Sequence, residues 1–219
     1  MRINRFVAAS TGLSRRAADQ AIADGRVQLN GHAPSMGANV TDTDIVTLDG
    51  ERLTIAAART IIFHKPAGYV TSRDGQGSNT IYDLLPPELR QLKPVGRLDK
   101  DSSGLLLLTN DGALAQRLTH PRYQKVKIYE IELDQPLQPL HRQMISDIGV
   151  QLDDGRSQLH LDRLQEGNDR AWLVTMHEGR NRQIRRTFAA LGHTVTRLHR
   201  TQFGSYQLDD LRSGSFRNI

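Results

Sequence analysis

One acidic residue stands in a setting suited to chemistry. Gly96-Arg97-Leu98-Asp99-Lys100-Asp101-Ser102-Ser103-Gly104 is a polar, turn-forming stretch, and Leu105-Leu106-Leu107-Leu108 follows it directly. A short, wholly apolar run of this kind reads as a strand buried on both faces. Asp99 therefore sits at the lip of a core strand with Arg97 two residues away, where a carboxylate could act on a group entering a cleft. The same residue could equally serve to turn the loop, as Asp often does. Spacing alone leaves both roles open.

The elements that would position this loop follow from the pattern around it. Ser14 is an N-cap for a helix over Arg15 to Asp24, with Ala17, Ala18, Ala21 and Ile22 on one face and Gly25 at its end. Asn4 to Ser10 is a shorter helix. Arg26 to Leu29 alternates like a strand, Asn30-Gly31 is a hairpin-turn signal, and Asp44 to Leu48 is a further strand. The first 52 residues thus predict a helix-helix-sheet module. Residues 51–58 read as a linker, and a larger unit spans 59–219. In it, Thr60 to Phe63, Lys127 to Leu133 and Leu173 to Met176 are strand-like. Ile81 to Leu85 is a short helix, and Asn110 or Asp111 caps another that contains Ala113, Leu114 and Leu118. A helix from Arg182 to Leu191 places Ile184, Phe188 and Leu191 on one face and Arg182, Arg185 and Arg186 on another, and Gly192 stops it. Many strands with few helices predict an α+β fold with a mixed, mainly antiparallel sheet.

Composition narrows the partners. The chain has 219 residues, a net charge of +5 and no cysteine. Disulfides and thiolate metal sites are excluded, and a reducing compartment is expected. The start Met1-Arg2-Ile3-Asn4-Arg5 lacks the apolar region of a signal peptide, and no apolar run is long enough for a membrane span. The expectation is a soluble, cytoplasmic, monomeric protein with no membrane partner. The histidines show no ligand pair at helical spacing, so neither a metal nor an organic cofactor is expected.

The basic residues are clustered. Five arginines lie between Arg2 and Asn30, eight basic residues between Arg90 and Lys127, and six arginines between His177 and Arg200. Glu130 to Arg170 is acidic, with nine carboxylates against four arginines. Basic blocks that converge in space would form a phosphate-binding face, with the acidic block turned away. Arg15 and Arg16 fall in the first turn of a helix, where cations are mildly unfavourable unless an anion joins them.

Two resemblances add to this reading. Arg2 to Ala8, Leu13-Ser14-Arg15-Arg16 and Asp24 to Gly31 resemble the RNA-binding domain named after ribosomal small-subunit protein four. That likeness implies an RNA partner, with Arg2, Arg5, Arg15, Arg16 and Arg26 as contacts, but no reaction. In the larger unit, Gly96-Arg97-Leu98-Asp99 with Gly104 to Gly112, Lys127-Ile128-Tyr129, and Glu178-Gly179-Arg180-Asn181-Arg182-Gln183-Ile184-Arg185-Arg186 resemble the pseudouridine synthases that act on ribosomal RNA. Lys65-Pro66-Ala67-Gly68, His120 to Tyr123, Leu191-Gly192-His193 and Arg197 to Arg200 support the match. His64 stands where relatives often carry asparagine, and Ser102 where threonine is usual.

The resemblance implies isomerisation of a uridine within ribosomal RNA: the ribose-to-nitrogen bond breaks, the base rotates, and a carbon–carbon bond forms. It makes Asp99 the catalytic carboxylate, either attacking the anomeric carbon or assisting a glycal route. It makes Arg185 the charge partner of Asp99, and Tyr129 the ring that stacks on the base and serves as general base. A carboxylate kept ionised in a dry site needs such a cation, and a bidentate pair also fixes its direction. Arg97 would fill the space left by the flipped uridine. Lys65, Arg180, Asn181, Arg182, Gln183 and Arg186 are implied RNA contacts. The Arg180-Asn181-Arg182-Gln183 wording looks more like the large-subunit enzymes, so large-subunit rRNA is favoured, with naked RNA or an assembling particle as substrate. The competing readings are an RNA-binding assembly factor without catalysis and an enzyme that hydrolyses the base away.

Overall fold

A computed structural model describes residues 1–219, Pro121 in its backbone alone. The chain opens with two helices, α1 (Ile3–Thr11) and α2 (Arg15–Ala23), and a small antiparallel sheet ordered β1 (Val27–Leu29), β2 (Val46–Leu48), β3 (Glu51–Arg52). Ser14 caps α2, its Oγ accepting from the Ala17 amide at 3.0 Å. Ile3, Val7, Ala18, Ala21, Ile22, Val27 and Val46 form a core of their own. The Asn30-Gly31 turn is present, with φ of 53° and 80°. It folds His32 back onto Leu29 in a single bridge rather than joining two full strands. The strand that pairs with β1 is β2, well beyond that turn. Glu51 and Arg52, expected at the start of the linker, extend the sheet as β3, and residues 53–59 carry no regular structure.

The rest of the chain builds one large mixed sheet. Its strands are β4 (Thr60–Lys65), β5 (Lys93–Pro94), β6 (Ser103–Thr109), β7 (Lys127–Leu133), β10 (His160–Arg163), β11 (Ala171–Met176), β12 (Val195–Phe203), β13 (Tyr206–Gln207) and β14 (Phe216–Asn218). The main order is β10-β11-β7-β12-β6-β4-β14, with β13 on β12 and β5 on β6. Strands β12 and β6 run parallel, and the other neighbours are antiparallel. A separate hairpin, β8 (Val150–Leu152) with β9 (Gly155–Ser157), stands off this sheet. The helices are α3 (Gly112–Thr119), α4 (Pro139–Gln143) and α5 (Gln183–Ala189), and none in the structure is long and apolar enough to cross a membrane.

Strand β6 explains the four-leucine run. Side chains alternate between the faces of a strand, and here both faces are covered. Leu106 and Leu108 join the larger core with Ile61, Phe63, Tyr129 and Phe188. Leu105 and Leu107 enter a second core with Ile62, Val95, Leu118 and Phe203. Each buried leucine contributes about 2 kcal/mol, so the strand is a rigid mount for the loop that precedes it. After the strand, Asp111 caps α3 by accepting from the Ala113 and Leu114 amides. Asn110, the alternative cap, instead ties back to the Arg59 amide and the Ala57 carbonyl.

A cleft lined by two charge networks

A cavity of about 1090 Å³ opens beside the edge where β6 begins. Asp99, Tyr129, Arg97, Arg182, Ser102 and Arg200 are among the residues that line it. Three segments far apart in sequence meet here because β12 lies between β7 and β6, so that Tyr129 on β7 and the loop before β6 approach the same strand. Tyr129 is buried in the cavity wall, and the Asp99 side chain is about one-third exposed (34%).

The arginine at Asp99 is Arg182, with Nη1 3.5 Å from Oδ2. Arg182 also holds Asp101 through two contacts of 3.2 Å. It sits just before α5 with a left-handed backbone (φ 47°), which turns its side chain from the helix towards the loop. Arg185, expected to pair with Asp99, is one turn further on and reaches Asp101 instead. Its Nε lies 3.2 Å from Asp101 Oδ2, and its Nη groups donate to the carbonyls of Val195 and Asp101. Asp101 thus holds two arginines. Partial burial pushes its carboxyl up, but the Arg182 hydrogen bond and the Arg185 and Arg182 charges outweigh that and leave it below the usual carboxylate range.

Lys65 corrects a second expectation. It was read as an RNA contact, yet it is fully buried (0% exposed) at the end of β4. Its Nζ donates to the Ser102 carbonyl at 2.7 Å and the Pro66 carbonyl at 3.0 Å, so it pins the loop from beneath. Burial lowers its pKa to about 8 against the opposing pull of Asp101 and Asp99, and Arg200 adds to the lowering. The apolar residues around it in β4 gave no sign of which way this side chain would turn.

A second network braces the loop before α5. Asp154, in the β8–β9 turn, accepts from Arg180 Nη1 at 2.8 Å and Arg186 Nη2 at 2.7 Å. Arg180 further donates to the Gly155 and Arg156 carbonyls and to Glu178. Arg186 donates from Nε to the Asn181 carbonyl. Gln183, read as an RNA contact, is 2% exposed. It bonds Ser157 at 3.1 Å and Glu178, and accepts from the Arg180 amide. Arg180, Arg186 and Gln183 therefore spend most of their polar groups inside the protein, although Arg180 Nε is buried without a partner. The shared helix face expected for Arg185 and Arg186 splits, because consecutive helical residues point about 100° apart. The acidic segment does not simply face away, since Asp154 belongs to it.

Other predicted residues remain available. Arg97 and Asn181 are exposed, and Arg97 makes no side-chain hydrogen bond or ion pair among the described residues. Arg2, Arg5, Arg15 and Arg16 are exposed on the N-terminal module, and among the described residues their side chains have no hydrogen-bond or ion-pair partner. Arg26 is exposed but paired to Asp49 at 2.9 Å from Nε. Sequence reasoning did not single out Asp101 or Asp154. Asp101 carried a signal, lying two residues from Asp99 in the same polar loop. Asp154 carried none, because its partners are 26 and 32 residues away.

With this geometry in hand, comparison with known proteins defines the class. A family model described as RNA pseudouridylate synthase matches residues 59–190. The chain belongs to that family, whose members are isomerases. Its likeness to individual members extends over its full length. It is 38% identical to an uncharacterised RNA pseudouridine synthase of Aquifex aeolicus, covering all of this chain and 90% of that protein. It is 36% identical to ribosomal small subunit pseudouridine synthase A of Pasteurella multocida and 33% to ribosomal large subunit pseudouridine synthase B of Bacillus subtilis. Both matches span this whole chain, with 96% and 91% of the relatives. A crystal structure of a pseudouridylate synthase superposes with a TM-score of 0.72 at 33% identity, over all of this chain and 96% of that one.

Proposed function

We propose that this protein converts a specific uridine of ribosomal RNA to pseudouridine, with Asp99 as the catalytic carboxylate and the N-terminal module as an RNA grip. The observation that carries the reading is the cavity that brings Asp99, its Arg182 partner and the buried Tyr129 together at the rim of a rigid strand. A uridine in folded RNA must leave its stack to reach such a site, at a cost of a few kcal/mol. Arg97, exposed beside the loop and without a side-chain partner among the described residues, would occupy the vacated space. Tyr129 offers its ring to the base and a hydroxyl for proton transfer. Arg182 orients Asp99 directly. Arg185 acts one step back, by holding Asp101 and through it the loop.

Phosphate contact falls to the exposed arginines of the module that have no partner among the described residues, Arg2, Arg5, Arg15 and Arg16, with Asn181 at the cleft. Relatives are named for both ribosomal subunits. The Arg180-Asn181-Arg182-Gln183 wording supports the large subunit, and we assign the substrate there, with the protein acting as a cytoplasmic monomer built from residues 1–52 and 59–219. Pseudouridine mapping of both rRNAs from cells with the gene, without it, and with Asp99→Ala tests the reading. One large-subunit position should lose modification in the latter two. Identical maps in all three would refute isomerisation, and loss at a small-subunit position would refute the subunit assignment.

A further inference from the structure

We propose that Arg200 binds the uracil ring while the detached base carries negative charge, a role that rests on the isomerase reading of the same cavity. Arg200 lies on β12, is 2% exposed and lines the cavity. Its guanidinium carbon is 6.0 Å from the Tyr129 ring centroid and 5.0 Å from that of Phe203. Nε donates to the Leu105 carbonyl at 2.8 Å. Nη2 is buried without a partner, and among the described residues Nη1 makes no hydrogen bond either. An arginine cannot escape by losing its proton, so a full charge is stored beneath the cleft with most of its donors idle.

The surroundings sharpen the mismatch. Lys65 and Lys127, whose charges both act on or are acted on by Arg200, are themselves anchored only on carbonyl oxygens. Among the described residues none of these three cations has a carboxylate within ion-pairing distance. The nearby carboxylates Asp99 and Asp101 are held by Arg182 and Arg185. The cavity thus has its Asp99 carboxylate already held by Arg182, while buried Arg200 has no anion at ion-pairing distance among the described residues. Ser102, 1% exposed and lining the same cavity, also has an unpartnered hydroxyl. The backbone is shaped to this arrangement. Gly104 pairs with Arg200 across the parallel strands at φ +109°, and a Cβ there would overlap the Arg200 carbonyl. Burying an uncompensated cation is costly unless a ligand completes it, and the ligand that fits is an anion with several acceptor oxygens.

The reaction supplies one. When the C1′–N1 bond breaks, its electron pair leaves with the base, and the uracil holds one negative charge spread over N1 and the carbonyl oxygens. That charge persists through rotation, until C5 bonds to C1′. In the ester route the C1′–O bond to Asp99 then breaks and the carboxylate leaves; in the glycal route C2′ takes its proton back. The neutral adduct then loses its C5 proton to a base and gains one on N1. The account is the same whether Asp99 adds to C1′ or a C2′ proton is removed. A fixed guanidinium beside the Tyr129 ring would stabilise this anion in a dry site, where preorganised donors act most strongly. A backbone phosphate is the lesser fit, because Arg200 lines the cavity at depth whereas Arg97 and Arg182 stand exposed at the rim.

The test compares wild type, Arg200→Met, Arg200→Lys and Arg200→Gln on rRNA purified from cells lacking the gene. It reads single-turnover pseudouridine formation, RNA affinity across salt, and melting temperature. Arg200→Met should slow conversion by about 100-fold or more, leave affinity within about twofold, and melt no lower than wild type. Arg200→Lys, which keeps the charge but loses the fork, should convert about tenfold faster than Arg200→Gln. Wild-type rates in the Met variant would overturn the proposal. So would weaker binding with a shallower salt slope and an unchanged saturated rate, which would mark a phosphate contact. Should the Met variant not fold, equal rates for Lys and Gln would overturn it as well. A wild-type protein that forms no pseudouridine on either rRNA would count against the isomerase reading itself rather than against Arg200.

Discussion

The arginines of the two ends of this chain do opposite things. On the N-terminal module, Arg2, Arg5, Arg15 and Arg16 are exposed and among the described residues have no partner. Around the cleft, Arg180, Arg182, Arg185 and Arg186 are tied to Asp154, Asp99 and Asp101 and to backbone carbonyls. Equal charge in the sequence thus divides into arginines that have no anionic partner among the described residues and arginines, Arg26 on the module among them, that already have one. An unpaired surface arginine is available to phosphate. A guanidinium engaged at several donors is a brace, and pulling it away would leave buried acceptors unmet. Contact with RNA follows from idle donors, not from the count of basic residues.

This contrast can be broken at several points. The largest effect is expected at Asp99. Asp99→Asn should lower single-turnover pseudouridine formation by about 10⁴-fold or more, with RNA affinity changed by less than about threefold. Matching losses of rate and affinity would move Asp99 into the group of binding residues.

The next concerns Lys65, the buried brace beneath the loop. Its folded pKa of about 8 lies below lysine's ordinary 10.5, because burial opposes the charge. The folded protein therefore gives up this proton before the unfolded chain does. The unfolded state binds more protons between these values, so this group raises stability from about pH 8 to 10.5 and contributes no such gain below 8. The rise is on the order of 3 kcal/mol at most. Urea midpoints across that range should show it in wild type and not in Lys65→Met. Equal slopes would place the ammonium in solvent.

Charge reversal of Arg15 and Arg16 together to Glu should weaken RNA binding by about 10- to 100-fold at low salt and flatten the salt dependence by about two contacts, while the rate at saturating protein stays near wild type. A lowered saturated rate would make the module part of the catalytic frame. The smallest effect is expected at Asp154→Asn. It frees Arg180 and Arg186 from their shared acid and, because Asp154 is solvent-exposed, should lower the melting temperature only slightly. No stability change would reclassify both arginines as surface residues.

Much of the frame was legible from local pattern. Ser14 capping α2, the alternation of β7, the leucines of β6 and Asp111 capping α3 are short-range effects, and each appeared where its pattern predicted. The site residues were nominated from the motif resemblance, and the cleft does gather Asp99, Tyr129, Arg97 and Arg182. The identity of the arginine at Asp99 was not legible, because Arg182 and Arg185 lie within one turn and only the left-handed backbone at Arg182 aims it there. The burial of Lys65 and Gln183 was not legible for a related reason. Lysine and glutamine are usually exposed, and their burial depends on acceptors far away in sequence, the Ser102 carbonyl 37 residues on and Ser157 26 residues back.

By itself the sequence determined the strand and helix order, the rigid mount after Asp99, and the positive character of the molecule, since periodicity, caps and charge are local properties of the chain. Only the tertiary structure decided which charges are idle and which are spent. That choice turns on distances between segments brought together by the order β7-β12-β6, and a side chain's partners set whether it braces the fold or waits for a ligand. Arg200 is the sharpest case: an ordinary arginine in the sequence, and in the fold a buried cation beside Tyr129 with its terminal nitrogens unmet.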